Sequence, residues 1–257
     1  MSVPFYLKDM TDTKIDVRFD FTTDTPTFWE NYWDNDMGKS TVDPDFASKK
    51  LKEYHQKIWS KALPNGENFD LKDGGNSNYL EWRDFRFGSD SITTSFRNKR
   101  NESLIKKVIN TVPNYKEFIE NYVRKAYTIG GAIIFPKMMG GINQARGCNH
   151  KIRDRFDLTL ECIRRYYNNE DSPLYKVLLT NKNFFGLFLD FKGYVDFFFL
   201  QDLVDENYNH VKFWIGNGNF EDSPIPRDVS EYMQWIENEI RFVEKRNKRI
   251  EQFFEEQ

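Results

Sequence analysis

A glycine-rich loop that leads into a helical segment, residues 140–165, carries side chains suited to binding an anion. It reads GGINQARGCNHKIRDRFDLTLECIRR, with Asn143 and Arg146 between a Gly-Gly turn and a predicted helix start. Backbone N–H groups at a helix start bind anions, because they point outward and the helix dipole is positive there. We therefore predict Asn143 and Arg146 as ligand-binding residues. Asp154 and Asp157 follow at the helix start and are predicted catalytic acid/base or orienting groups.

The same segment also supports a structural interpretation. Two aspartates already occupy the positive end of the predicted helix, which argues against a free phosphate there. Arg146, Arg153 and Arg155 would then pair with those aspartates and hold the loop in place. Within the helix, Glu161 and Arg165 are four residues apart and form a stabilising pair. Both interpretations use the same residue types, so the sequence leaves them open.

A second group of candidate residues lies at 81–100, EWRDFRFGSDSITTSFRNKR. Guanidinium and ammonium groups stand there among serine and threonine hydroxyls, a combination that binds anionic oxygens. We predict Arg86 and Ser89 as ligand-binding residues on a hairpin over 85–97. The alternative is a surface hairpin whose charges are solvated or paired with neighbouring aspartates, since exposed ion pairs are common and weak.

A third segment, 189–204, places Asp190 and Asp196 in an otherwise apolar run, LDFKGYVDFFFLQDLV. Carboxylates in apolar surroundings are costly unless they are paired or bind a metal. We therefore predict that Arg155 or Arg164 contacts one of these two aspartates.

Standard catalytic and cofactor signatures do not occur in the sequence, including the phosphate loop, the dinucleotide fingerprint, the nucleophile elbow and paired CxxC motifs. His55, His150 and His210 are the only histidines and lie far apart, so no metal ligand is predicted and the cofactor stays unknown. Cys148 and Cys162 are too few for a disulfide framework and predict reduced thiols.

The hydrophobic pattern predicts an α+β fold in which helices dominate over a small, mostly antiparallel sheet. Asp43-Pro44 starts a helix that ends by Leu63, and Asp228 starts a long amphipathic helix over about 228–255. The pattern at residues 28–33 predicts a short helix or an aromatic-packed loop, and the pattern at residues 138–153 predicts a loop. Further helices are predicted at about 102–110, 114–127, 154–168, 172–180 and 182–203. Strands are predicted at 14–22, in two or three pieces within 69–97, at 132–135 and at 208–215.

The composition predicts one domain over residues 1–257, because no linker or repeat divides the chain. A net charge of −3, with acids and bases mixed, argues against a protein that binds nucleic acid over its whole surface, but leaves room for a local basic groove. The most apolar stretch, 184–204, contains too many charged residues to span a bilayer. The N-terminus lacks the pattern of a signal peptide. We therefore expect a cytoplasmic protein without a membrane partner.

Four blocks of sequence carry a resemblance to known proteins. They are DPDFASKKLKEYHQKIWSKALPNG, FRFGSDSI, INQARGCNHKIRDRFDLTLECIRRYY and DFKGYVDFFFLQDLV. Their content and order resemble a family of bacterial hypothetical proteins classed as a domain of unknown function. The resemblance covers almost the whole chain and implies a single domain, but it implies no activity, cofactor or site residue.

From the residues alone we predict a polar, arginine-containing cleft that recognises a phosphate-bearing ligand, either a nucleotide or a nucleic-acid end. The alternative is a non-catalytic interaction module, in which aromatic residues and the helix over 228–255 bind a partner or form a homodimer. An exposed apolar face on that helix would favour the alternative.

Overall fold

The computed structural model describes residues 15–34, 43–75, 79–138 and 140–256, and it shows the predicted α+β fold with helices predominating. Four strands form one antiparallel sheet in the order β1-β2-β3-β4. Their bounds are Lys72–Asp73 for β1, Leu80–Trp82 for β2, Phe85–Ser91 for β3 and Ala132–Pro136 for β4. The β3–β4 pairing is the longest, and it brings residues 81–100 beside the loop that follows β4.

Eleven α-helices lie within the described residues. Their bounds are α1 Phe28–Asp34, α2 Pro44–Ala47, α3 Lys49–Trp59, α4 Glu102–Thr111, α5 Tyr115–Ala126, α6 Ile142–Cys148, α7 Phe156–Tyr167, α8 Tyr175–Thr180, α9 Lys182–Phe185, α10 Phe191–Phe197 and α11 Val229–Glu255. A 3-10 turn, Lys99–Asn101, runs directly into α4, so the helical run 99–111 is continuous. No helix in the described part of the chain combines the length and apolar content needed to cross a membrane.

The long helix α11 organises the core. Its apolar side is buried, including Trp235 and Ile250, and it packs on α4, α5 and the turn before β4. Polar groups on the same side fix that turn: Arg246 donates to the Gly130 oxygen at 2.8 Å, and the Asn247 side chain accepts from the Gly130 amide at 2.6 Å. A side chain at Gly130 would lie 2.4 Å from the Val243 oxygen. Close contact between α11 and the backbone before β4 therefore requires glycine.

Several sequence predictions are confirmed. Asp228 caps α11 by accepting from the Glu231 amide, and the helix runs to Glu255. The AIIF segment is a fully buried strand. The three short strands within 69–97, the helices near 102–110 and 114–127, and the short helix at 28–33 are also present. The extent of the domain, residues 1–257, stays a prediction.

Other predictions are wrong, most clearly the strand at 14–22; Lys14 lies outside the described residues. Ile15, Val17 and Phe21 are buried as the alternation suggests, but the backbone forms turns instead of pairing in a sheet. The intervening acids cap those turns, since Asp16 accepts from the Arg18 amide at 3.0 Å. Aspartate side chains favour such turns over extended strands.

Four other predicted elements differ in part from the structure. Residues 138–153 contain the short helix α6 instead of only loop, and the predicted helix from Asp43-Pro44 is divided at Ser48. The predicted helix at 182–203 is broken, because Leu189 has a left-handed φ of 68° and Asp190 caps a new helix. Residues 208–215 form only an isolated bridge at Val211.

The predicted contact between Arg155 or Arg164 and an aspartate of 189–204 is also wrong. Both guanidinium groups bind carboxylates on α7, which are Asp157 and Glu161 respectively. Glu161 also binds Arg165, as the spacing predicts.

Candidate functional site

A groove with a basic wall lies where the two predicted segments 81–100 and 140–165 meet. It encloses about 470 Å³, and we call it the basic groove. The first segment contributes Lys99 and Arg100, and the second contributes Arg153 and Asp154. The structure therefore brings the two segments together around one cavity, although mainly through residues other than those selected from the sequence.

The cations of the basic groove stand at the start of a helix. Asn98 caps the run 99–111 by accepting from the Asn101 amide, so Lys99 and Arg100 occupy its first turn. Positive side chains there oppose the helix dipole, whose positive end is at the same place. Within the described part of the chain, Lys99, Arg100 and Arg153 form no ion pair. The groove is thus lined by three cations and one carboxylate, that of Asp154, so its lining carries a net positive charge.

The turn that carries Arg153 and Asp154 has an unusual backbone. Both residues have left-handed φ angles, 50° and 63°, a conformation that costs a non-glycine residue about 1–2 kcal/mol. The buried Arg146 side chain holds this turn, since its Nη2 donates to the Asp154 backbone oxygen at 2.7 Å. Gly147 allows the Asp154 carboxylate to approach, because a Cβ there would lie 3.0 Å from its Oδ1.

A second cavity adjoins the basic groove, and Thr94 and Asp154 line both. It encloses about 250 Å³ and contains the carboxyl groups of Asp43, Asp45 and Asp90; we call it the carboxylate cavity. Hydroxyl groups complete its wall, from Tyr32, Ser91, Thr93, Thr94, Ser95, Tyr122 and Tyr127. We refer to these two adjoining cavities together as the cleft; cations predominate in the lining of one part and carboxyl groups in that of the other.

Hydrogen bonds between α2 and β3 position the carboxylates. Asp43 caps α2 by accepting from the Asp45 amide at 3.0 Å. Asp45 then accepts from the hydroxyls of Ser89 and Ser91, on the strand β3 that pairs with β4. Asp90, between these serines, binds the buried guanidinium of Arg146. The buried Arg146 guanidinium therefore binds Asp90 directly and acts on Asp45 through its charge.

Burial and mutual repulsion change how these groups titrate. Burial, aided by the Asp43 charge, raises the pKa of Asp45 to about 7, while hydrogen bonds from Ser89 and Ser91 oppose that rise. Burial likewise raises the pKa of Asp90 to about 6, although the Arg146 charge lowers it. The pKa of Asp43 is raised by burial as well. Carboxyl groups that share a site in this way hold protons near neutral pH.

A chain of hydrogen bonds connects Asp45 to the core. The Trp59 indole donates to His55 Nδ1 at 2.9 Å, and His55 Nε2 lies 2.9 Å from the Ser89 hydroxyl. An indole N–H can only donate, so His55 Nδ1 is the acceptor and Nε2 carries the proton. Burial lowers the pKa of His55 to about 3, which keeps the ring neutral. Ser89 thus receives from His55 and donates to Asp45, so Asp45 acts as acceptor.

The residues predicted from the sequence lie at different depths. Ser89 contacts Asp45, and Asp154 lines both parts of the cleft. Arg146 is buried and binds Asp90 in the wall of the carboxylate cavity, and the Asn143 side-chain amide donates to the Ser89 backbone oxygen at 3.5 Å.

The other two predicted residues have separate surroundings. Arg86 is exposed and pairs with Glu81 at 2.9 Å. Asp157 is fully buried, where it accepts from Arg155 and from the Trp214 amide. The structure therefore does not bring Arg86 or Asp157 to Asp154.

Sequence reasoning missed Asp45 and Asp90 as members of a site. Asp45 is 44 residues from Ser89, and only the packing of α2 on β3 joins them. The local signal was the Asp-Pro-Asp run, which we interpreted as a helix start alone. Within the described residues, no group of three or more histidine, cysteine or acidic side chains is arranged to hold a metal ion.

The fold and the cleft define an α+β protein with a charged, two-part candidate binding site. The chain belongs to the Family of unknown function (DUF6994), whose model matches residues 15–250 and so includes both parts of the cleft. No curated protein and no solved structure matches the chain.

Proposed function

We propose that the cleft binds a phosphate-bearing ligand, a nucleotide or a nucleic-acid end, with the phosphate in the basic groove. One observation carries this proposal: Lys99, Arg100 and Arg153 converge on a single groove and form no ion pair with the described residues. Guanidinium and ammonium groups beside the first turn of a helix provide both charge and N–H donors for phosphate oxygens.

In this proposal Asp154 is the acid/base or orienting group. It lines both the basic groove and the carboxylate cavity, so it would lie beside the bond between the phosphate and the rest of the ligand. Arg146 and Ser89 would act through the residues they hold: Arg146 fixes the turn of Asp154, and Ser89 fixes Asp45. Buried and bound to Arg155, Asp157 would support the scaffold.

Isothermal titration tests this proposal with three probes: inorganic phosphate, adenosine monophosphate and a short 5′-phosphorylated oligonucleotide. We expect binding of at least one probe, and a loss of about tenfold or more in affinity for the triple variant Lys99→Ala/Arg100→Ala/Arg153→Ala. Arg86→Ala is the matched control, because it removes an exposed arginine outside the groove. Absence of binding by all three probes, or equal affinity in the triple variant, would refute the proposal.

The observations support the ligand-binding proposal over the interaction module. The apolar side of α11 is packed inside the chain, and the large exposed apolar residues of the described part all lie outside α11, at Phe46, Ile109, Met138, Leu179 and Leu189. We also propose a reducing compartment, the cytoplasm, because Cys148 and Cys162 are both free thiols.

A further inference from the structure

We infer that the ligand is a small phosphomonoester whose organic part carries hydrogen-bond donors, hydroxyl or amino groups, and that the carboxylate cavity receives those donors. The inference rests on the proposed function, because it assumes that the phosphate occupies the basic groove. It adds the chemical class of the remainder of the ligand, and it excludes ligands that present a second phosphate.

The chemistry of the cavity wall leads to this class of ligand. Above their raised pKa values, as at pH 8, the carboxyl groups of Asp45 and Asp90 are ionised and only accept hydrogen bonds. Asp45 receives hydroxyls from Ser89 and Ser91, and Asp90 receives the guanidinium of Arg146. The three carboxyl groups still offer more acceptor positions than these donors fill, so a ligand that donates complements the cavity.

A tyrosine hydroxyl in the same cavity is also available to a polar ligand. Tyr32 lines the cavity, and its buried hydroxyl makes no hydrogen bond of normal length within the described residues, although the Ser95 and Arg97 side chains lie near it. A buried hydroxyl left without a partner costs about 1–3 kcal/mol. Because a hydroxyl both donates and accepts, hydroxyl or amino groups of a ligand satisfy it, whereas an alkyl group does not.

Size and charge restrict the ligand further. The carboxylate cavity encloses about 250 Å³, which is less than the roughly 300–1,000 Å³ of pockets for drug-sized molecules. One sugar ring or a short amine has a size that suits this cavity. A second phosphate would meet Asp43, Asp45 and Asp90, and repulsion between like charges selects against it.

Comparison of affinities at pH 8 tests the inference, since phosphomonoesters are then dianions. The probes are inorganic phosphate, ethyl phosphate, O-phosphoethanolamine, ribose 5-phosphate and pyrophosphate. Ethyl phosphate has no donor beyond its phosphate, while the next two supply an amine and hydroxyls respectively. We expect at least one donor-bearing probe to bind about tenfold more tightly than ethyl phosphate, and pyrophosphate to bind no more tightly than inorganic phosphate.

Two variants locate the effect. Asp45→Asn reduces the acceptor capacity of the cavity, and Tyr32→Phe removes only a hydroxyl that makes no hydrogen bond of normal length within the described residues. Each is expected to decrease the preference for the donor-bearing probe over ethyl phosphate, measured as the ratio of the two affinities in the same variant, by threefold or more. Tyr32→Phe keeps the test informative if Asp45→Asn does not fold.

The outcomes separate this inference from the proposed function. If inorganic phosphate binds through the basic groove but ethyl phosphate binds as tightly as the donor-bearing probes, the inference is overturned and the proposed function stands. Tightest binding of pyrophosphate also overturns it. If no probe binds, both fail.

Discussion

The buried Arg146 side chain donates a hydrogen bond of 2.7 Å to the backbone oxygen of Asp154, the acidic residue shared by both parts of the cleft. The same guanidinium binds the Asp90 carboxylate and donates to the backbone oxygen of Ser91, both on β3. One side chain therefore ties the turn at 153–154 to the strand that carries the carboxylate cavity.

Arg146→Lys is expected to destabilise the protein, because an ammonium group cannot reproduce the forked contacts of the guanidinium. Buried donors and acceptors left without partners predict a loss of about 1–3 kcal/mol in the free energy of unfolding. Urea denaturation measures the change. Arg86→Lys, at an exposed ion pair, serves as the control and should alter stability by less than about 0.5 kcal/mol.

Stability should depend on pH through Asp45. Its pKa rises to about 7 in the folded protein, against about 3.9 for an unperturbed aspartate. The folded state therefore binds more protons between these values, so this contribution is fully present below about pH 4 and is lost as the pH rises through 7. Asp43, Asp90 and Arg146 are the charged groups that face Asp45.

Denaturation curves from pH 4 to pH 8 for the native protein and for Asp45→Asn measure this dependence. The free energy of unfolding of the native protein should fall relative to that of the variant by about 2–4 kcal/mol across the range. Parallel curves would show that Asp45 titrates as an ordinary exposed aspartate.

Substitution of Asp157 should mainly change stability, whereas substitution of Asp154 should mainly change ligand affinity. Asp157→Ala leaves Arg155 buried without its counter-ion, which predicts a loss of about 3–5 kcal/mol. Asp154→Asn changes an exposed side chain but keeps a residue type that tolerates the left-handed backbone, so it should change stability by less than about 0.5 kcal/mol, while altering phosphate affinity. Thermal unfolding and titration with inorganic phosphate measure the two effects; a stable Asp157→Ala variant would contradict the structural role of this ion pair.

Gly130→Ala should be strongly destabilising, because its Cβ would lie 2.4 Å from the Val243 oxygen on α11. Overpacking of this kind costs about 1–3 kcal/mol or more. Gly186→Ala provides the comparison, since nothing lies within 4 Å of the added Cβ and the φ of Gly186 is −60°. Equal melting temperatures for the two variants would count against the close packing of α11 on this turn.

Local patterns in the sequence predicted the parts of the fold that depend on local interactions. The heptad-like apolar face of α11 and its Asp228 cap are both visible in the sequence, and so is the apolar strand β4. The alternation of apolar and polar residues at 15–21 led to the wrong prediction of a strand. Buried residues between capped turns produce the same pattern as a strand does.

The site was predicted at the level of segments, not of contacts. Residues 81–100 and 140–165 do meet, but Lys99, Arg100 and Arg153 line the groove, whereas the selected Arg86 lies in a separate ion pair. Which arginine is buried depends on pairing between distant strands and helices, which residue types do not encode locally. Asp45 joins the site for the same reason, across 44 residues.

The central claim is that the two segments form one anion-binding cleft, and amide chemical shifts during titration with inorganic phosphate test it most directly. We predict saturable shifts concentrated at Lys99, Arg100, Arg153 and Asp154, with the Arg86 amide almost unchanged. Shifts that are absent, that grow linearly without saturation, or that centre on Arg86 would contradict the claim.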